Sequence, residues 1–99
     1  MITYEVTVTV RDELRTRFEV YMRERHIPDV LLTGLFSGAQ LLRADDGRLR
    51  TRYELLDRNA LERYLATHAT RLRADIAAHF PDGLEFEREV WASLVEWPH

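Results

Sequence analysis

His26, Pro28 and Asp29 fall within four residues in the stretch HIPDVLLTG. An imidazole close to a carboxylate is a pattern that can move a proton. Two readings of this pattern stay open. In one, His26 stands at the mouth of a cleft between helices and sheet as base, acid or ligand contact, and Asp29 orients the ring by accepting one of its N–H groups. In the other the stretch is an elbow: Pro28 sets the backbone, Asp29 caps the turn that follows, and Ile27, Val30 and Leu31 pin it to the core. Pro28 interrupts any helix between His26 and Asp29, so helical metal-ligand spacing is not assured.

His68 lies on the apolar stripe of a second helical stretch. It is either a core histidine satisfied by one hydrogen bond or a side chain aimed into a cavity, where it could meet a ligand or a haem iron. Arg71, one turn on, can hold a carboxylate or phosphate, or can pair with Asp75 four residues ahead. Tyr53 can offer its hydroxyl to the same space, and Tyr4 and Tyr64 can do likewise or simply pack. A metal site would need His26, His68, His79 and carboxylates to converge, which their spacing does not demand; no metal and no cofactor is expected. His99 is terminal and expected to be disordered. The sequence contains no GxGxxG, P-loop, HExxH, GxSxG or CxxC pattern. With no inward-facing carboxylate pair in view, glycosidase-type chemistry is disfavoured.

The composition narrows the classes further. Ninety-nine residues, 45% hydrophobic and 31% charged, fit one globular domain with a thin core, for which dimerisation is a common remedy. A net charge of −3 without a basic block argues against nucleic acid, and no apolar run approaches the length of a membrane span. The opening MITYEVTVTV alternates and lacks a basic leader, so it reads as a strand rather than a signal peptide. The absence of cysteine removes disulfides, thiolate metal sites and thiol nucleophiles, and a cytoplasmic location is the default. All 14 basic residues are arginine, which excludes Schiff-base lysine chemistry and leaves bidentate pairing with carboxylates available throughout.

These side chains must be positioned by six elements. Residues 2–10 alternate strictly as a strand with one buried side. Asp12 is placed to cap a helix carrying Leu14, Phe18, Tyr21 and Met22, which must stop by Ile27 because the residue before proline avoids the α region. A turn over Asp29–Thr33, closed by Gly34, leads to a strand over 35–44; the DDG turn at 45–47 leads to another over 48–55. Asp57 or Asn59 starts a second helix whose stripe runs Leu61, Tyr64, Leu65, His68, Leu72, Ile76, Phe80. A last strand runs from Leu84 to about Trp97. The order β-α-β-β-α-β predicts an α+β, ferredoxin-like fold: a four-stranded antiparallel sheet in the order 4-1-3-2 with both helices on one face.

The other face of that sheet sorts its charges by strand. Glu85, Glu87 and Glu89 lie on the fourth strand, threonines and Glu5 on the first, and Arg48, Arg50 and Arg52 on the third. Such rows are self-complementary under a two-fold axis, and Trp91, Val95 and Trp97 beside the acidic row would be costly to expose. A homodimer packed on this face is therefore expected, with apolar contact supplying most of the association energy.

The stretches MITYEVTV, HIPDVLLTGLF and LERYLATHATRLRADIAAHF together resemble an uncharacterised bacterial family of about this length, classed as a domain of unknown function. HIPDV–TG–F, intact from His26 to Phe36, is its most specific part. The resemblance implies a ferredoxin-like protein of the dimeric α+β barrel type, and no activity or catalytic residue. By analogy of fold alone, that barrel is shared with small monooxygenases, haem-handling enzymes, isomerases and ligand-sensing domains. Three functions follow as expectations. The first is a homodimeric small-molecule binder with a pocket lined by His26, Asp29, Tyr53, His68 and Arg71. The second is a cofactor-poor enzyme, isomerase- or monooxygenase-like, with His26 or His68 as acid/base. The third is a structural or partner-binding module.

Overall fold

The computed structural model describes residues 1–98, and His99 lies outside them. Strands β1 (Ile2–Val10), β2 (Gly38–Arg43), β3 (Leu49–Leu55) and β4 (Leu84–Ala92) form one antiparallel sheet in the order β2-β3-β1-β4. Alternation decides which side is buried: Ile2, Tyr4, Val8 and Val10 of β1 face the helices, as do Leu49, Tyr53 and Leu55 of β3. The fold is the ferredoxin-like α+β arrangement expected from the sequence.

The first helical stretch does not stop at Ile27. It starts as a short 3-10 turn at Asp12–Leu14, continues as α1 (Arg15–Tyr21), widens into a π-helical turn at Met22–His26 and resumes as α2 (Ile27–Leu31). Ile27 keeps α-helical angles (φ −62°, ψ −45°) and donates its N–H to Met22, five residues back. The wider turn makes room for the ring of Pro28, which in a regular α-helix would strike the carbonyl four residues before it. The expected turn at Asp29–Thr33 is thus mostly helix, ending at Gly34 with φ +78°. Nor does Asp12 cap the stretch: no side-chain cap bond forms there, and Asp12 pairs with Arg15 at 2.9 Å instead.

The second helical stretch is two helices, α3 (Arg58–Thr67) and α4 (Ala69–His79), with a break at His68 (φ −120°, ψ −34°). Asp57, not Asn59, is the cap, accepting the Ala60 N–H at 2.9 Å. The break rephases the buried stripe to Leu61, Tyr64, Ala69, Leu72, Ile76 and Phe80, which turns Leu65 out to solvent. Strand β2 is shorter than 35–44. Strand β4 ends at Ala92 rather than near Trp97, because its only neighbour, β1, begins at Ile2 and the pairing runs out with Ser93 N–H to the Met1 carbonyl.

The core divides into two clusters. One gathers Tyr4, Val30, Tyr53, Leu55, Tyr64 and Leu72; the other gathers Val8, Phe18, Met22, Leu49, Ile76 and Phe80. Val6 and Ile27 touch both clusters and are only partly buried. Among the described residues no helix is long and apolar enough to cross a membrane.

Candidate functional site

The seam between the two clusters holds a small, partly open cavity of about 20 Å³. Strand β1 supplies Tyr4, Val6 and Val8 as its floor, β3 adds Tyr53, and the π turn brings Met22 and His26 over the top. The widened turn is what places His26: it sits at the last π position, 7% exposed, and its Nδ1 is buried with no hydrogen-bond partner. Burial lowers its pKa from the ordinary 6.5 to about 4, reinforced by the charge of Arg88 and opposed by those of Asp29 and Asp75. The ring is neutral at physiological pH.

Tyr53, 2% exposed, is the second such polar group: among the described residues its buried hydroxyl makes no well-formed hydrogen bond, and the buried Thr51, two residues back on the same face of β3, offers it only a weak one. Burial, with the neighbouring Tyr64 and Tyr4, pushes its pKa far above the ordinary tyrosine value. Tyr64 is pushed up to about 12, again mainly by burial. The three phenols form an aromatic wall with Phe36, whose ring lies 5.2 Å from Tyr53 and 4.9 Å edge-on from Tyr64. Arg73 of α4 crosses the gap to donate to the Tyr4 hydroxyl at 3.1 Å, and the Arg88 guanidinium lies 4.9 Å from the centre of the Phe86 ring. Among the described residues neither arginine pairs with a carboxylate.

The structure thus brings His26 and Tyr53 together and leaves the other sequence candidates outside. Asp29 follows on α2 and acts on His26 through its charge; the buried ring nitrogen donates nothing to it. His68 stands half-buried at the helix break, where its Nδ1 accepts from Arg71 at 3.0 Å. Arg71 does not pair with Asp75, because Asp75 is occupied by tertiary partners: both Arg25 nitrogens at 2.8 Å and the Tyr21 hydroxyl at 2.5 Å. Those partners hold the Asp75 carboxyl well below the usual carboxylate range. Arg73 and Arg88 were not among the sequence candidates, although position 88 interrupts the helix-facing row of Leu84, Phe86 and Val90 with a charge. Among the described residues no three His, Asp or Glu side chains are grouped to hold a metal ion.

A larger, open groove of about 550 Å³ runs between α2 and the edge strand β2, lined by Ile27, Pro28, Leu31, Ala39, Leu41 and Leu42 and ended by Glu19 with Arg23 and Arg43. Its polar end is already satisfied, since Glu19 accepts from Arg43 at 2.6 Å and Arg23 at 3.2 Å. It therefore has space without unmet chemistry.

On the open sheet face, register puts Glu5 opposite Arg52 and Thr7 opposite Arg50. Arg52 accordingly donates to Glu5 at 2.9 Å, Arg50 to Thr7 at 2.8 Å, and Arg48 pairs with Asp46. The arginine row thus has partners within the protomer, while the Arg50 and Arg52 side chains stay partly exposed. The acidic row has none: among the described residues no ion pair reaches Glu85, Glu87 or Glu89, and Trp91 beside them is exposed.

A family profile described as "Domain of unknown function (DUF4286)" matches residues 1–92. The chain belongs to this family. No protein of curated function matches its sequence. Solved structures similar to this member of the family include SnoaB, a cofactor-independent oxygenase from Streptomyces nogalater (23% identity, TM-score 0.73, covering 99% of this chain and 97% of that one). Another is a putative antibiotic biosynthesis monooxygenase from Nitrosomonas europaea (14% identity, TM-score 0.72, 96% and 100%). A third is HapK from Hahella chejuensis (17% identity, TM-score 0.70, 100% and 98%). At these identities the likeness shows a shared fold alone.

Proposed function

We propose that this protein is a homodimeric small-molecule-binding protein whose ligand reaches the cavity of His26 and Tyr53. The observation that carries the reading is that two buried side chains with unmet hydrogen-bonding capacity, His26 through Nδ1 and Tyr53 through a hydroxyl that only Thr51 approaches, line one cavity. Each such atom costs about 1–3 kcal/mol unless something bonds to it, and native proteins keep few of them. A space of about 20 Å³ admits one water-sized group, so the bound molecule presents a single hydroxyl or oxo group inward while its body stays in the mouth. From the segment 26–36, His26 lines the cavity and Phe36 packs against Tyr53 and Tyr64.

A second reading, a small enzyme acting without a cofactor, is favoured by one feature: an unpaired neutral imidazole in a fold like that of SnoaB. His26 could take a proton from a bound acid, but with its pKa near 4 it is a weak base, so binding leads. The dimer is supported by the uncompensated acidic row, by Trp91, and by the segment that follows β4, where Leu94 is 93% and Trp97 81% exposed. Apolar surface of that kind is costly on a monomer.

The test is a screen of single-ring compounds by amide NMR. Binders should shift Val6, Met22, His26 and Tyr53 and should lose affinity in His26→Leu. Binders that shift only Leu31, Ala39 and Leu41 would place the site in the other groove and overturn the reading.

A further inference from the structure

Arg73 and Arg88 stand on a wall shared by two spaces. Inward lies the cavity of His26 and Tyr53; outward lies a vestibule of about 190 Å³ walled by Phe80, Pro81 and Leu84. Arg73, Ile76, Phe86 and Arg88 line both, so the two spaces are consecutive along one path. Two guanidinium groups at one threshold repel each other, and a protein normally answers them with carboxylates. Here it answers with a phenol and a ring: Arg73 donates to Tyr4, and Arg88 rests over Phe86. A third cation, Arg17, lies over Phe80 at 4.9 Å from its centre. Glu87 and Glu89, on either side of Arg88 along β4, alternate onto the opposite face of the sheet, and two other acids near the threshold are engaged elsewhere. Asp82, on the vestibule wall, accepts from Arg11 at 3.1 Å, and Asp75 is held by Arg25 and Tyr21. Asp29 acts on His26 only through its charge.

Deepening the reading of this cavity as a small-molecule site, on which it rests, we propose that the ligand is an organic anion of single-ring size. Its carboxylate sits between Arg73 and Arg88, where planar guanidinium groups match two oxygens at once. Its flat body lies against Phe80, Phe86 and Ile76 in the vestibule, and a hydroxyl or oxo substituent beside the carboxylate enters the inner cavity to meet His26 Nδ1 and Tyr53 Oη. The size follows from the volume: a dry cavity of about 150 Å³ accepts one benzene ring, and the vestibule is slightly larger. Arg88 is exposed on the edge strand β4 and held by a ring contact alone, so it can swing aside for entry and close over the carboxylate afterwards.

The experiment titrates the full chain with benzamide, benzoate and salicylate at low salt, followed by calorimetry and amide shifts. Benzoate should bind at least about tenfold more tightly than neutral benzamide, and salicylate more tightly still. Arg73→Gln and Arg88→Gln, both exposed positions, should each reduce benzoate to the level of benzamide. His26→Leu should erase the advantage of salicylate over benzoate. Benzamide binding as well as benzoate at the same residues, or indifference to both arginine substitutions, overturns the anion inference and leaves the cavity reading standing. No shift at the cavity by any of the three at about 10 mM overturns both.

Discussion

Replacing His26 with leucine should make the protein more stable, against the usual outcome for a buried residue. At neutral pH the imidazole is uncharged and its Nδ1 lacks a partner, at a cost of about 1–3 kcal/mol that a leucine of similar bulk does not incur. We expect a gain of about 1–2 kcal/mol, raising the melting temperature by about 4–8 °C per kcal/mol in a chain of this size. The pH dependence sharpens the test. The native ring ionises near 4 and the unfolded ring near 6.5, so between these values the unfolded chain binds more protons and stability falls as the pH falls. At about 1.4 kcal/mol per pH unit, that window is worth about 3 kcal/mol in the wild type and nothing in the leucine variant. The depressed pKa of Asp75 also makes stability fall with pH, but that loss comes mainly below the unfolded value of 3.8 and so outside the window. Urea unfolding at pH 7.5, 6.5, 5.5 and 4.5, followed by circular dichroism, separates the cases. A leucine variant that is less stable at pH 7.5, or that keeps the wild-type slope between pH 6.5 and 4.5, would refute the account of His26.

Three further outcomes follow from the same geometry. Asp57→Ala removes the only side-chain bond at the start of α3 and should cost about 1 kcal/mol by thermal unfolding; an unchanged midpoint would mean that the helix is set by its neighbours. Asp75→Asn should cost about 1–2 kcal/mol in urea, and combining it with Arg25→Met should cost less than the two apart, since both act on one bidentate pair; full additivity would show the pair to be ornamental. Glu87→Arg with Glu89→Arg should shift sedimentation from two chains towards one, and an unchanged coefficient would remove the acidic row from the interface.

The strands were legible because alternation states both the buried face and the register: Tyr4, Tyr53 and Leu55 could face only one way once the sheet order was known. The proline was misleading for a physical reason. The rule that helices end before proline concerns α-helical geometry, and a turn bonded five residues back escapes it, so His26 lies within a continuous helical stretch and is buried. The position of His68 was less legible: its place on a period of 3.6 residues assumed an unbroken helix, whereas the helix breaks at that residue. The Arg71–Asp75 spacing favoured a local pair, but a tertiary guanidinium with two-point geometry outcompeted it. Arg88 was the signal available and unused: a charge in an apolar row is where a strand passes an opening. That the opening also holds Tyr53 and His26 depends on distances between layers, which no spacing along the chain encodes.

Native mass spectrometry of the untagged protein, purified directly from its producing cells, tests the proposed ligand of His26 and Tyr53 and the proposed dimer together. It should return two chains carrying a small-molecule adduct, with the adduct missing from His26→Leu. A single chain at micromolar concentration would contradict the dimer, and an adduct that persists in His26→Leu would contradict the site.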